Sequence, residues 1–347
     1  MTLIYFILIL GITIFVHELG HFIFAKKAGI HVYEFAIGMG PKLFSFRRKN
    51  DETVYSLRLI PLGGFVQMSG EEINEDLNIP EEKRLQSKTW FQRFLTMIAG
   101  ALFNFLLAGL LLFFISLIYG APETRPFMGE IQQDFPTYIQ GVEAGDLIIS
   151  VDGKKMYTWD DVLLQIQLTE QGKPLTFEFM KPNEEIKTVI IEPVLIEENG
   201  VESYKYGLTI SDNKRYGFLE AVKFTFLKFG TIIYSMIKII GSLIFGALGL
   251  ENLAGPIGIY AIVGQEASQG IVNILYLIAF LSINVGFINL LPFPAFDGGK
   301  VLFLVIEKIK GSKVNPKVEN VIHAVGFALL ILLMIIITMQ DIRKLFL

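Results

Sequence analysis

Residues 2–25 have the sequence TLIYFILILGITIFVHELGHFIFA, an apolar run interrupted near its end by two histidines and a glutamate. As a helix, the run is long enough to cross the ~30 Å of bilayer hydrocarbon. Ionisable groups are unfavourable in hydrocarbon, and those that persist there usually serve a function. The pattern His17-Glu18-x-x-His21 places both imidazoles on one helix face, one turn apart. Such a pair can bind one zinc ion, with Glu18 as general base towards a water molecule.

The same residues allow other interpretations. Transporters use membrane-buried His and Glu as proton relays, and a histidine on an apolar helix can be an ordinary packing residue. The chain has only four histidines, however, and two of them flank this glutamate at metal-binding spacing. A relay would bind no zinc and is typical of inverted repeats, which the two halves do not display. The leading hypothesis is a zinc hydrolase that works within the membrane, with a proton-coupled transporter and a non-catalytic membrane scaffold as alternatives.

Composition limits the class of protein. Of the 347 residues, 52% are hydrophobic and 18% are charged, which indicates an integral membrane protein rather than a soluble enzyme. The net charge of −4, without a basic tract, gives no sign of a nucleic-acid partner. The absence of cysteine excludes disulfides and thiolate ligands, so a zinc site must use nitrogen and oxygen atoms. We expect the first apolar segment to be retained, because it carries the proposed chemistry.

Three further stretches, 94–119, 271–291 and 321–339, are long and apolar enough to span. Residues 218–250 are less uniform, because Glu220 and three lysines interrupt them, and this pattern favours amphipathic helices at the interface. Four spans would place both termini on one side and would keep His17 and Asp297 at comparable depth. The basic loop 26–93 is then cytoplasmic by the positive-inside rule, and the acidic region that follows the second span is extracytoplasmic.

Two regions outside the spans show β patterns. Residues 54–60 and 65–68 predict short strands around Pro61 and the Gly63-Gly64 pair, and residues 71–88 predict a polar loop. Residues 121–217 predict one small β-rich domain, with strands at 176–180 and 188–191 and a helix at 159–168.

A third zinc ligand is expected at membrane depth, because catalytic zinc usually has three protein ligands. Residues 289–299, NLLPFPAFDGG, end the third span, and their two prolines break the helix and present Asp297 on a turn before an apolar helix restarts at Val301. Asp297 could instead cap that helix, but its pairing with the histidine motif favours the ligand role. Asn284 and Asn289 could donate to a substrate carbonyl or an oxyanion, or form hydrogen bonds between helices.

Together these motifs resemble the site-two protease family of intramembrane zinc metalloproteases, in its bacterial branch. Supporting segments are Pro61-Leu-Gly-Gly-Phe-Val66, Ala99-Gly100 with Asn104, and Gly255-Pro-Ile-Gly258, while 136–149 is similar to the groove entry of a PDZ domain. The resemblance implies that His17, His21 and Asp297 bind Zn²⁺ and that Glu18 is the catalytic base. It also implies a membrane-dipping hairpin that pairs with an unwound substrate strand through Gly63, Gly64, Phe65 and Val66.

The chain departs from the family pattern in places. Ala101 and Phe296 stand where the family usually has Pro and Leu, and one PDZ-like domain is apparent where the best-known relative has two. The resemblance implies a multi-pass protein of the bacterial cell (inner) membrane. Its substrates would be single-span membrane proteins, for example an anti-sigma factor or signal-peptide remnants.

The predicted fold is a polytopic α-helical membrane protein with about four transmembrane helices, a membrane-associated β-hairpin region and one inserted PDZ-like α+β domain. The expected boundaries are 1–120 for the N-terminal membrane half, 121–217 for the inserted domain, 218–253 for the interfacial helices and 254–347 for the C-terminal membrane half. The expected partners are the lipid bilayer and membrane-protein substrates, and the sequence leaves the oligomeric state open.

Overall fold

A computed structural model describes residues 1–71, 78–131, 135–198, 201–246 and 248–346, so part of the polar loop expected over 71–88 lies outside the described residues. The chain divides into two compact units, a membrane unit formed by Met1–Leu111 with Leu250–Leu347 and an inserted unit formed by Leu112–Gly249. The helices are α1 (Thr2–Lys27), α2 (Trp90–Tyr119), α3 (Pro136–Ile139), α4 (Trp159–Gln167), α5 (Phe218–Ile244), α6 (Pro256–Ser268), α7 (Ile271–Leu290), α8 (Asp297–Lys310) and α9 (Pro316–Phe346). The strands are β1 (Val32–Arg47), β2 (Val54–Met68), β3 (Ala121–Pro122), β4 (Leu147–Val151), β5 (Lys154–Lys155), β6 (Leu175–Met180), β7 (Ile186–Ile191), β8 (Val194–Glu198), β9 (Val201–Lys205) and β10 (Lys214–Arg215).

Several helices of this polytopic membrane protein can cross a bilayer. In the described residues, five are long and apolar enough by length and composition: α1, α2, α5, α7 and Lys317–Arg343 within α9. The three spans expected after α1 correspond to α2, α7 and α9. The fifth candidate, α5, covers the region that we expected to lie at the interface, so the count of four is not settled by length and composition.

In the membrane unit, α1 and α2 approach closely and run antiparallel. A Cβ added at Gly20 would overlap the backbone carbonyl of Ala99, so the contact requires glycine. Further along, Phe6 and Ile9 pack with Leu107 and Leu111 of α2. Small residues at the crossing compensate for the lack of a hydrophobic driving force between helices in lipid.

Helices α6 and α7 pack against the first turns of α1. Val263 of α6 and Ile274 of α7 lie in one cluster with Phe6 and Ile9. From that end, α7 runs to Leu290, and the next helix begins at Asp297 rather than at Val301 as expected. The helix can restart this early because Gly298 packs directly on the carbonyl groups that end α7, where any side chain would collide.

The β-hairpin region is more extensive than the sequence indicates. The two short strands expected around Pro61 form one continuous strand, β2, and the pattern missed its partner β1. Glu34–Ile37 lies between two segments of β2, pairing with Val54–Leu57 on one side and with Gly64–Gln67 on the other. The strand pattern of β1 is hidden because Gly38 and Gly40, both at positive φ, interrupt its alternation.

The inserted unit contains an antiparallel four-stranded sheet of order β5-β4-β6-β7. The strands expected at 176–180 and 188–191 are confirmed as β6 and β7, and the helix expected at 159–168 is confirmed as α4. Inward residues of β4 and β6, among them Ile148, Phe177 and Phe179, are fully buried in its core. Thr158 and Asp161 form a capping box that fixes the start of α4.

Candidate metal centre

Three side chains from distant parts of the chain meet in the membrane unit. His17 and His21 point from the same face of α1, and their Nε2 atoms are 3.2 Å apart. The Asp297 Oδ2 atom, in the first turn of α8, lies 3.1 Å from each of these nitrogens. Both histidines are buried, with 7% and 6% of their surface exposed. The three residues are therefore preassembled around one point.

This arrangement fits a zinc ion. Ligands about 2.0–2.1 Å from a tetrahedral zinc are about 3.3 Å from one another, close to the separations observed between these three atoms. The donor set of two imidazoles and one carboxylate is typical of catalytic zinc, and three protein ligands leave a position for water. Within the part of the chain that the structure describes, the ligand atoms of His17, His21 and Asp297 are close enough to one another to hold one metal ion.

The neighbouring cavity has a volume of about 350 Å³ and contains most of the predicted site residues. Glu18 and the three candidate ligands line it, and so do Gly63, Gly64, Phe65 and Val66 of β2. A Cβ added at Gly64 would lie 3.2 Å from Glu18 Cγ, so the absence of a side chain brings the strand backbone close to the glutamate. The candidate metal ligands, the glutamate and a strand therefore line one cavity.

The two asparagines of α7 differ in position. Asn289 lines the cavity, and its Nδ2 atom donates to the carbonyl of Val285 at 3.0 Å. Asn284 is not among the residues that line the cavity, and its Nδ2 atom donates to the carbonyl of Phe280 at 2.7 Å. Residues five apart on an α-helix point about 140° away from each other, so the two side chains cannot serve the same face. The helix period alone could have separated these two predictions.

Sequence reasoning missed several polar contacts at the site. The carbonyl of Thr96 on α2 lies 2.8 Å from His21 Nδ1, and Asn104 Nδ2 lies 3.4 Å from His17 Nδ1. Lys300, three residues after Asp297, forms an ion pair with Glu71, and both line the cavity. The four-residue spacing of Thr96, Gly100 and Asn104 would have identified one face of α2, once that helix was known to pack on α1.

The two remaining histidines, His31 and His323, lie outside the group of candidate ligands and have other contacts. His31 Nδ1 lies 3.5 Å from a carboxylate oxygen of Glu52. His323 Nδ1 donates to the carbonyl of Pro294, in the segment that precedes Asp297. His323 thus lies next to the loop that positions the third candidate ligand.

Comparisons with known proteins show the family to which this chain is similar. The profile described as "Peptidase family M50" matches residues 5–333. The zinc metalloprotease RasP of Bacillus licheniformis is 32% identical, over 100% of this chain and 100% of that protein. The regulator of sigma-W protease RasP of Bacillus subtilis is also 32% identical, over 100% of this chain and 99% of that protein. Among solved structures, the PDZ domain of the SdrC-like protein from Listeria monocytogenes matches 26% of this chain and 90% of its own at 20% identity, with a TM-score of 0.22.

The family profile extends over α1, which carries the His-Glu-x-x-His motif, and over the segment that carries Asp297. The similarity to the two RasP proteins covers the whole of this chain and nearly the whole of each relative. The chain therefore belongs to peptidase family M50.

Proposed function

We propose that this peptidase hydrolyses peptide bonds within or beside transmembrane segments of membrane proteins, using one zinc ion held by His17, His21 and Asp297. The observation that carries the proposal is the meeting of three ligand atoms, each 3.1–3.2 Å from the others, at a cavity that Glu18 also lines. His17 and His21 project from α1, an apolar helix of membrane-spanning length, and Asp297 begins α8, shortly after α7, another helix of that length, which supports cleavage within the membrane.

The zinc site, Glu18 and Asn289 have different roles in the proposed hydrolysis. When bound, zinc polarises the scissile carbonyl and lowers the pKa of water to about 7. Glu18 accepts the proton of the attacking water and then delivers it to the leaving amine. Asn289 can turn its amide from Val285 towards the cavity and donate to the developing oxyanion.

The strand segment Gly63–Val66 is proposed to bind substrate. A transmembrane helix hides its carbonyls in its own hydrogen bonds, so it must unwind before water can attack. An unwound segment in lipid needs new hydrogen-bond partners, and addition to a strand edge supplies them. Substrates should therefore carry glycine or other helix-weakening residues near the cut, and replacing these by leucine should slow cleavage. An unchanged rate after such stiffening would refute this part of the proposal.

We further propose four crossings, with α5 at the interface. Because α2 runs antiparallel to α1, the chain leaves the membrane unit at the end where α1 begins, and α6 packs at that same end. A single crossing by α5 would deliver the chain to the opposite end.

A contact within the inserted unit supports the same topology. Lys228 Nζ on α5 lies 2.7 Å from Asp160 Oδ1 on α4. The 16 residues of α5 that follow Lys228 extend only about 24 Å, less than the ~30 Å of hydrocarbon. On this topology the inserted unit, a PDZ-like module by its sequence, is extracytoplasmic and the basic loop 26–93 is cytoplasmic.

Cysteine accessibility tests the topology directly, because the natural chain has no cysteine. Tyr157→Cys places an exposed thiol on the inserted unit, and Phe245→Cys places one just after α5. With four crossings, an impermeant maleimide should label both positions from the same side of intact cells. Labelling from opposite sides would establish the fifth span. Lys49→Cys, in the basic loop, should react only after the membrane is permeabilised.

The principal test compares the purified wild type with Glu18→Gln in detergent. We expect about one zinc per chain in both, with cleavage of single-span model substrates lowered about 10²–10⁴-fold by the substitution. Glu170→Gln, which changes an exposed acid of the inserted unit, is the matched control and should leave both values unchanged. Absence of metal from both proteins would refute the proposal and favour a proton relay. Full cleavage by Glu18→Gln would remove Glu18 from the mechanism.

A further inference from the structure

One face of α2 lies against both candidate zinc-binding histidines. Thr96, Gly100 and Asn104 follow one another at intervals of four residues, so they share this face. A Cβ added at Gly100 would lie 2.7 Å from His17 Nε2, so only glycine allows α2 to pack this closely under the imidazole rings. Thr96 and Asn104 lie on either side of this close approach, one next to each histidine.

The Nε2 atoms of His17 and His21 converge on the candidate metal position, so the proton of each imidazole must lie on Nδ1. An imidazole that binds a metal through Nε2 is neutral and carries its proton on Nδ1. For His21 this proton has an acceptor, because the Thr96 carbonyl oxygen lies 2.8 Å from Nδ1. For His17 the group at this position is the Asn104 amide, whose Nδ2 atom lies 3.4 Å from Nδ1. Two N–H groups that face each other cannot form a hydrogen bond.

The amide of Asn104 has the acceptor that this position requires. Asn104 is completely buried, and within the described residues its Oδ1 atom has no hydrogen-bond partner. A buried carbonyl oxygen without a donor is unfavourable. A half-turn of the amide exchanges Oδ1 and Nδ2, which gives the oxygen a donor and the His17 Nδ1–H an acceptor.

We propose that Asn104 is a positioning residue for His17, accepting a hydrogen bond from its Nδ1–H when the metal is bound. This contact fixes the tautomer and the ring orientation of His17, as the Thr96 carbonyl does for His21. The inference rests on the proposed function, because it requires His17 to be a metal ligand. Outer contacts of this kind typically change metal affinity by about 10–100-fold.

The test compares Asn104→Leu, which removes the acceptor at similar volume, with Asn104→Asp, which keeps an oxygen there. Zinc affinity is measured on the purified full-length protein by competition with a chromophoric chelator. The thermal midpoint of the metal-free protein is measured in parallel, as the readout for a merely structural role. Ser116→Ala, which removes another buried polar group of α2 far along the helix, is the matched control.

We expect Asn104→Leu to weaken zinc binding about 10–100-fold without lowering the metal-free midpoint, and Asn104→Asp to stay within a few-fold of the wild type. Wild-type affinity in Asn104→Leu would overturn the inference. Weak binding in Asn104→Asp would overturn the acceptor role. If Asn104→Leu lowers the metal-free midpoint, Asn104→Ala replaces it and is judged by the same affinity criterion. A wild type that binds no zinc would instead refute the proposed function, so the two failures are distinguishable.

Discussion

The metal-centre region of the membrane unit and the sheet of the inserted unit are stabilised in opposite ways. The sheet encloses large apolar side chains, such as Phe177 and Phe179, which are completely buried. The helices around the metal centre instead meet through glycines and backbone, as at Gly20 and Gly100, and they bury polar groups. In water, apolar burial drives folding, whereas helices in lipid associate through close packing and polar contacts. One added methyl group should therefore disturb the geometry of the candidate metal centre. The stability of the sheet in the inserted unit should instead depend mainly on the apolar volume that it buries.

The largest expected effect is in the inserted unit. Phe177→Ala should destabilise its sheet by about 3–5 kcal/mol, because it removes a buried ring and leaves a cavity. Hydrogen exchange of the β4 and β6 amides in the full-length protein measures the change. Ile190→Ala, at an exposed position of β7, is the control and should have little effect. The zinc content should stay at the wild-type value, and loss of zinc would show that the two regions fold as one.

Gly100→Ala tests the close packing of α2 at the candidate metal centre. The new methyl group would occupy space that His17 and His21 now fill, so the rings must move. A ligand displaced by about 1 Å should lower the cleavage rate about 10²-fold and weaken zinc binding. Gly109→Ala, on the same helix with no atom within 4 Å of the added Cβ, is the matched control. Equal activity of the two variants would contradict the close packing of α2 on the histidines.

The sequence predicted these two regions to different extents. Strands β6 and β7 were found because the β6 pattern alternates and both segments are rich in β-formers, and the histidines and Asp297 stood out because charges are rare in apolar segments. Thr96 did not stand out, and Asn104 stood out only as part of the family pattern, without a role, because the roles of both depend on which helix packs against which. Asn284 was grouped with Asn289 by residue type, although the helix period separates them. Chemistry carried by ionisable side chains is visible in the sequence, whereas chemistry carried by backbone carbonyls depends on the fold.

A smaller effect is expected at the helix of the inserted unit. Thr158→Ala removes the side chain that accepts from the Asp161 amide, and with it one half of the capping box. Loss of such a cap typically destabilises by about 1 kcal/mol. The first turn of α4 should exchange its amide protons faster, while β6 and the zinc content remain unchanged. A uniform loss of protection across the sheet would mean that α4 and the sheet unfold together.

The smallest effect concerns the turn between β1 and β2, which belongs to the membrane unit but depends on surface charges. Asp51 accepts hydrogen bonds from Lys26 Nζ at 3.0 Å, from the Thr53 amide at 3.1 Å and from the Tyr55 hydroxyl at 2.8 Å. Partial burial alone would raise the pKa of Asp51, but these donors outweigh it and hold the pKa well below its usual range. The carboxylate therefore stabilises the folded turn at neutral pH.

Because the pKa of Asp51 is lower in the folded chain, its contribution is complete above the unfolded pKa of about 3.9 and is lost as the pH falls below that value. Amide exchange in the turn, corrected for intrinsic rates, should show protection that decreases below about pH 4, by less than about 1 kcal/mol in total. Asp51→Asn should reduce this dependence and leave the centre of the β1–β2 pairing protected. The remaining dependence is expected from Glu52, which also binds Lys26 and whose pKa is also lowered, so Glu52→Gln separates the two acids. An unchanged dependence in Asp51→Asn would exclude Asp51 as its source. A turn whose stability follows pH in this way is governed by water-exposed charges, although its strand β2 continues to a cavity lined by the buried candidate metal ligands.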